Sequence, residues 1–267
     1  MNSMRVKSMV EEQVTVLAAE DIAKDIYRLC LHAPQIVAQG VRPGQFVHIR
    51  VPGDTPRLLR RPISVMAARP ESETVELAIQ VAGEGTRMLR AVRRGDRLSV
   101  LGPLGTPFDP RGAKRLFFVG GGIGAAPIRC AMDAFAGQAE KAVAFFGFRG
   151  AAYAYGLEDA PCEVRVSTDD GTMGRQGKVT LLLQAAIDEE PPDLVMACGP
   201  TPMLRTLQNM TMRQRIACQI SLEEYMACGL GACLTCSCKA RANSGAAYRR
   251  VCADGPVFDA REVCLDV

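Results

Sequence analysis

Residues 115–136 read RLFFVGGGIGAAPIRCAMDAFA. An apolar run of buried-strand type meets three consecutive glycines, and a helix pattern follows. Gly120, Gly121 and Gly122 leave no Cβ in the turn. A dinucleotide's phosphates can then approach backbone N–H groups at the start of the helix. The stretch is not the full G-x-G-x-x-G fingerprint. A tight strand-to-helix turn without a ligand therefore stays open on this evidence alone.

Working outward from it, AVAFFGFR (142–149), CEVRVSTDD (162–170) and DLVMACGP (193–200) read as further buried strands, with VTLLLQAAIDEE (179–190) and PMLRTLQNMTMR (202–213) as helices. Strand–helix alternation predicts a parallel sheet covered by helices. Ligands bind such sheets at the carboxyl ends of their strands. STDDGTMGRQG (167–177) and CGP (198–200) fall on that edge with the glycine turn, and three loops together predict a nucleotide site. Asp169 and Asp170 are candidates for ribose hydroxyls, or simply a solvated turn.

Upstream the texture is different. QVTVLAAE, DIYRLCLH, QFVHIRV, TVELAIQV and DRLSVLG are short, partly alternating runs separated by turn signals such as RPGQ, PGDTP and RRGD. They predict a small antiparallel barrel or sandwich. Within this region LLRRPISV (58–65) is unusual, because Pro62 denies a ladder its donor and a strand must end or bulge there. An arginine beside an isolated serine suits an anionic or electron-rich group. QVAGEGTRML (80–89) adds Gly83, Gly85 and Thr86 ahead of a short helix, a pattern that suits a pyrophosphate. A surface arginine and a capped helix are the plain alternatives.

Downstream, MACGLGACLTCSCKA (226–240) places four of the eleven cysteines in eleven positions, and six of the eleven lie between 228 and 264. Disulfide scaffolds belong to small secreted chains. Here the N-terminus has no signal-peptide core, no apolar run reaches the roughly 18 residues of a membrane span, and a cytoplasmic protein is expected. Structural zinc usually takes two separated pairs. The spacing Cys228-x4-Cys233-x2-Cys236, with Cys252 further on, is instead the plant-type [2Fe–2S] pattern, although the fourth cysteine comes earlier than in those ferredoxins. Gly229 and Gly231 allow the backbone to wrap closely and aim N–H groups at sulfur. Cys238 and Cys264 are left over.

The 48% hydrophobic content is that of a chain with a real core, and its 267 residues suit two or three domains. The expected division is a β-barrel over 1–110, a doubly wound α/β domain over 111–217 and a small cluster domain over 218–267. A net charge of +3 is too small to argue for nucleic acid or a membrane surface. The two histidines, His32 and His48, lie in strand-like runs and read as structural.

With these three parts in order, the chain resembles the electron-transfer subunit of the NAD-dependent type of dihydroorotate dehydrogenase, in the ferredoxin–NADP reductase superfamily. The resemblance spans about residues 10–264. SLEEYMACGLGACLTC and RVCADGPVF are similar to the cluster segment, RRPIS and GEGT to the flavin motifs, LGPLG to the barrel's end, and GGGIGAAP and CGPTPML to the nucleotide loops. One departure is Thr106-Pro107 after LGPLG.

The resemblance implies that Arg61, Pro62, Ile63 and Ser64 line the isoalloxazine and phosphates of FAD, with Ala78, Ile79 and Gln80 on the adjacent strand. Gly85 and Thr86 would hold its pyrophosphate. Gly121, Gly122, Gly124 and Cys198 would serve NAD, and Cys228, Cys233, Cys236 and Cys252 the [2Fe–2S] cluster. It also implies an FMN-containing catalytic subunit as partner in a heterotetramer of pyrimidine biosynthesis, with electrons passing from FMN through cluster and FAD to NAD+. A reductase subunit feeding another oxidoreductase, such as a sulfide or ferredoxin reductase, is the alternative enzyme. A zinc-stabilised binding module is the alternative without catalysis.

Overall fold

The computed structural model describes residues 9–52, 59–242 and 245–265. The PGDTP turn signal lies outside them except for Pro52. Six strands close into a barrel in the order β1-β2-β5-β4-β3-β6. They are β1 (Val10–Ala23), β2 (Ile26–His32), β3 (Phe46–Ile49), β4 (Arg61–Arg69), β5 (Thr74–Gln80) and β6 (Arg97–Leu104). Two short helices, α1 (Pro34–Ala38) and α2 (Glu84–Arg90), lie in the connections. Alternation aims Val14, Val16, Leu29, Leu31, Val47, Ile49, Leu77 and Ile79 inward, where they form one core. Each such side chain contributes about 1.5–3 kcal/mol on burial. Leu77→Ala, at a fully buried position, should cost about 2–5 kcal/mol.

Pro62 does not end or bulge a strand. It is the second residue of β4, opposite His48, and the bulge comes later, between Val65 and Ala67. A strand's first residues tolerate proline because the ladder has only just begun there.

The second layer is a seven-stranded sheet in the order β10-β9-β8-β7-β11-β12-β15. Its parallel members are β7 (Arg115–Gly121), β8 (Lys141–Phe148), β9 (Glu163–Thr168), β10 (Arg175–Gln176), β11 (Leu194–Cys198) and β12 (Ala217–Ser221). Helices α3 (Ala125–Phe135), α4 (Val179–Glu189) and α5 (Thr201–Gln214) cover it. Chain order reverses between β7 and β11, so the sheet is doubly wound with its switch point there. The strands are near-continuously apolar because both faces are buried: Leu116–Val119, Val143–Phe146 and Leu194–Cys198 lie inside.

The last segment shares these layers. β13 (Ser237–Lys239) and β14 (Tyr248–Arg250) form a small hairpin. β15 (Val257–Asp259) then returns to pair antiparallel with β12 at the sheet's edge. Cys236, Cys252 and Val251 join the core that contains Val119, Phe145 and Ile220. Thr106, the departure after LGPLG, ties the barrel's exit to this tail: its N–H donates to the Gly255 carbonyl at 2.6 Å and its hydroxyl to the Val257 carbonyl at 3.0 Å. Among the described residues no helix is long and apolar enough to cross a membrane.

Candidate active site and cluster loop

A cleft of about 620 Å³ opens at the carboxyl ends of β7, β8, β9 and β11. It holds Gly121 and Gly122 from the glycine turn, Phe148 at the end of β8 with Arg149 after it, Asp169 after β9, and Gly199 and Pro200 after β11. The two glycine loops meet at the switch point so closely that a Cβ on Gly199 would lie 3.1 Å from the Gly121 Cα. A backbone this bare presents N–H groups to a ligand without side-chain obstruction.

Gly124 and Cys198 do not line this cleft; they pack against each other beneath it. A Cβ on Gly124 would stand 2.4 Å from the Cys198 carbonyl oxygen, and Cys198 is 0% exposed. Burial, then the nearby Glu223 carboxylate, raises the Cys198 thiol's pKa far above its usual value. Of the two acidic candidates, Asp169 lines the cleft and takes a 2.9 Å ion pair from Lys178. Asp170 instead accepts bonds from the Thr172 N–H and hydroxyl, which hold its carboxyl below the usual range.

Gln80 and Ile26, paired across β5 and β2, also face the cleft, so the barrel supplies its far wall. The flavin motifs converge beside them. Arg61 opens β4, and its guanidinium rests on Gly85, where a Cβ would lie 2.3 Å from Nε. Thr86 locks the adjacent turn: its hydroxyl accepts from the Ala82 and Gly83 N–H groups and donates to the Gly83 carbonyl, while Tyr27 donates to the Thr86 carbonyl at 3.0 Å. Pro62, Ile63 and Ser64 follow along β4 opposite His48, Val47 and Phe46. Ala78 and Ile79 are buried on β5. Arg61 with Gly85 brings a cation onto a side-chain-free backbone, and its Nη1 donates to the Leu59 carbonyl at 2.8 Å.

The cysteine loop lies against the same barrel. Its thiols come together as two pairs. Cys228 is within hydrogen-bonding reach of Cys233, and Cys236 of Cys252. Four thiols in two pairs are the donor set that a [2Fe–2S] cluster would take.

The donors fit as well. The Leu230 N–H points at the Cys228 sulfur at 3.3 Å, the Gly231 N–H at Cys252 at 3.1 Å, and the Cys252 N–H at Cys236 at 3.4 Å. Cys233 is the exposed member. Hydrogen bonding to Thr235 first, then to Cys228, pulls its thiol down to about 6. Burial, and then Cys236, pushes Cys252 up to about 12. Gly229 (φ +70°) and Gly231 (φ +80°) adopt the left-handed backbone that the wrap requires. Arg250 braces the loop, donating to the Gly231 carbonyl at 3.1 Å and pairing with Asp254 at 2.9 Å.

Sequence reading missed Glu223, Arg149 and Tyr153 as cleft residues. Partial desolvation beside the cleft raises the Glu223 carboxyl above its usual range, although the residue keeps solvent-exposed surface. Glu223 stands five residues before the first cluster cysteine, in a stretch read only for its thiols. Tyr153 carries no local signal at all; its ring holds the Lys24 and Arg149 cations at 5.4 and 5.9 Å.

A flavin-type barrel, a nucleotide cleft at a switch point and a paired-thiol loop define an electron-transfer oxidoreductase. Comparison with known proteins makes this particular. Residues 13–108 match the oxidoreductase FAD-binding domain, and residues 223–264 the iron–sulfur cluster binding domain of dihydroorotate dehydrogenase B. The dihydroorotate dehydrogenase B (NAD(+)) electron transfer subunit of Caldanaerobacter subterraneus subsp. tengcongensis is 41% identical over 248 residues, 93% of this chain and 96% of that protein. Its counterpart in Enterococcus faecalis is 38% identical over 262 residues, covering 96% and 98%.

Among solved structures, an NADH-dependent reduced ferredoxin-NADP oxidoreductase superposes with a TM-score of 0.83 at 28% identity, covering 96% of this chain and 91% of that one. A cytochrome P450 reductase of Amycolatopsis shares the fold, with a TM-score of 0.60 over 78% of this chain and 67% of that one, at 24% identity. The chain belongs to the family of electron transfer subunits of NAD(+)-dependent dihydroorotate dehydrogenase B. The expected barrel, doubly wound sheet and cluster-binding tail are all present.

Proposed function

We propose that this chain carries electrons from an FMN-bearing catalytic subunit, where dihydroorotate is oxidised to orotate, to NAD+, the two subunits assembling as a heterotetramer. When bound, FAD exchanges electrons singly or in pairs, and so links a one-electron cluster to the two-electron nicotinamide. One observation carries the reading. The barrel wall built from β3, β4 and β5 faces the nucleotide cleft through Gln80 and the cysteine loop through His48.

In this reading Arg61 and Gly85 seat the FAD pyrophosphate, with Thr86 fixing the turn around it. Pro62, Ile63 and Ser64, with Ala78, Ile79 and Gln80, form the wall along the isoalloxazine. Gly121 and Gly122 give NAD a bare backbone to bind, and Gly124 and Cys198 form the floor that holds that backbone in place. Cys228 and Cys233 hold one iron, Cys236 and Cys252 the other. Tyr225 at 90% exposure, with Leu230 and Leu234 also exposed, gives the cysteine segment apolar surface where Cys233 is the exposed thiol. That surface is where the catalytic subunit docks, since electron transfer demands short distances and exposed apolar patches mark interfaces.

The test is co-expression with an FMN-containing dihydroorotate dehydrogenase subunit. The reading predicts dihydroorotate-dependent reduction of NAD+ that requires both chains. A chain that instead reduces ferredoxin with NAD(P)H, and adds nothing to the catalytic subunit, would replace it with the general reductase reading.

A further inference from the structure

His48 is buried at 0% exposure, and neither ring nitrogen has a hydrogen-bond partner among the described residues. Its place in the barrel explains where the ring goes. Val47 and Ile49 point into the barrel core, so the alternating Phe46 and His48 point out of it. Outside, the ring stands 5.6 Å from that of Phe46, and Pro62 of the flavin motif faces it across the ladder. Its far side is closed by the cysteine loop. A Cβ on Gly229 would fall 2.5 Å from Cε1, 2.7 Å from Nδ1 and 2.9 Å from Nε2. The imidazole is therefore a wedge between the flavin strand and the turn that begins at Cys228, and that turn needs glycine partly because the ring is there.

Phenylalanine would fill such a slot without burying two unpaired nitrogens, and buried polar groups are almost always paired. The loop closing the slot carries the Cys228 sulfur one residue away, and a cluster held there would add further sulfur acceptors. Hydrogen bonds to those sulfurs stabilise the reduced, more negative cluster and so raise its potential.

Resting on the cluster reading above, we infer that His48 is a positioning residue for the iron–sulfur cluster: its ring seats the Cys228–Gly229 turn on the flavin strand, and its N–H serves the sulfur shell at Cys228.

The chain has only His32 and His48, so uniform histidine labelling with nitrogen-15 gives an assignable signal. His32 sits at the end of β2 and bonds Glu73, away from the loop. The experiment is pulsed EPR on the reduced, labelled holoprotein, with a redox titration of the same samples. Wild type and His32→Gln should both show coupling from one histidine nitrogen, and His48→Phe should lose it. The cluster potential should fall in His48→Phe and return in part in His48→Gln, which keeps a donor. If His48→Phe takes up no cluster, the labelled wild type decides alone. No histidine coupling in wild type overturns the inference, as does an unchanged potential in a fully loaded His48→Phe. A wild type with no iron at all would instead fail the cluster reading, and iron content tells the two failures apart.

Discussion

The cysteine loop and the nucleotide cleft bind their ligands by opposite strategies. The loop takes three of its four thiols from nine consecutive residues, 228–236, and needs only glycines to let the chain wrap. The cleft takes its lining from the ends of four strands spread over about 80 residues, the starts of α4 and α5, Glu223 after β12, and Ile26 and Gln80 of the barrel. A site of the first kind depends on local spacing, and one of the second on the fold being right. The two should therefore fail differently when disturbed.

The largest effect expected is at the loop. Cys233→Ser should abolish the cluster, taking iron from about two per chain to none, while FAD remains bound because Arg61 and Gly85 belong to the barrel and not to the loop. Flavin and iron assays on one sample check this. Loss of both together would mean that loop and barrel are one cooperative site, and would erase the contrast.

Next comes the joint between them. Burial first, then the Arg60 cation, lowers the His48 pKa from 6.5 to about 4, so the folded chain keeps the ring neutral. Between those values the unfolded chain binds the proton and the folded chain does not. This ring's contribution is therefore complete above pH 6.5 and is lost as pH falls toward 4, by about 3 kcal/mol. Denaturation of iron-free wild type and His48→Phe across that window isolates it; parallel pH profiles would contradict a buried, neutral ring.

The cleft should yield through its floor rather than its lining. Gly124→Ala forces a methyl against the Cys198 carbonyl and should cost about 2 kcal/mol, with NAD binding weakened as the glycine loops shift. Thermal melts and NAD titrations read the two effects. The smallest effect belongs to Gly85→Ala. The methyl's nearest neighbours are the guanidinium atoms at the far end of Arg61, so stability should hold while FAD affinity falls about tenfold as the guanidinium is displaced. Fluorescence titration of FAD into stripped protein measures that fall.

This contrast also explains what was legible in the sequence. The cysteine spacing, the barrel's alternating runs and the glycine turn each state their structure locally. Gly121 and Gly122 line the cleft as read. Gly124 and Cys198 were legible as members of the two loops, but not as partners facing each other, because their contact depends on β7 and β11 lying side by side. The tail's return as β15 was equally silent: three residues carry too short a pattern to announce a strand, and pairing with β12 decides it. His48 read as structural because nothing in QFVHIRV shows that a cysteine loop 180 residues later closes over it.

The most direct measurement is a visible spectrum of the anaerobically purified chain, with flavin, iron and zinc assayed on the same sample. The account predicts flavin bands over a broad cluster absorption, one FAD and about two irons per chain. A colourless protein holding zinc and no flavin would contradict it.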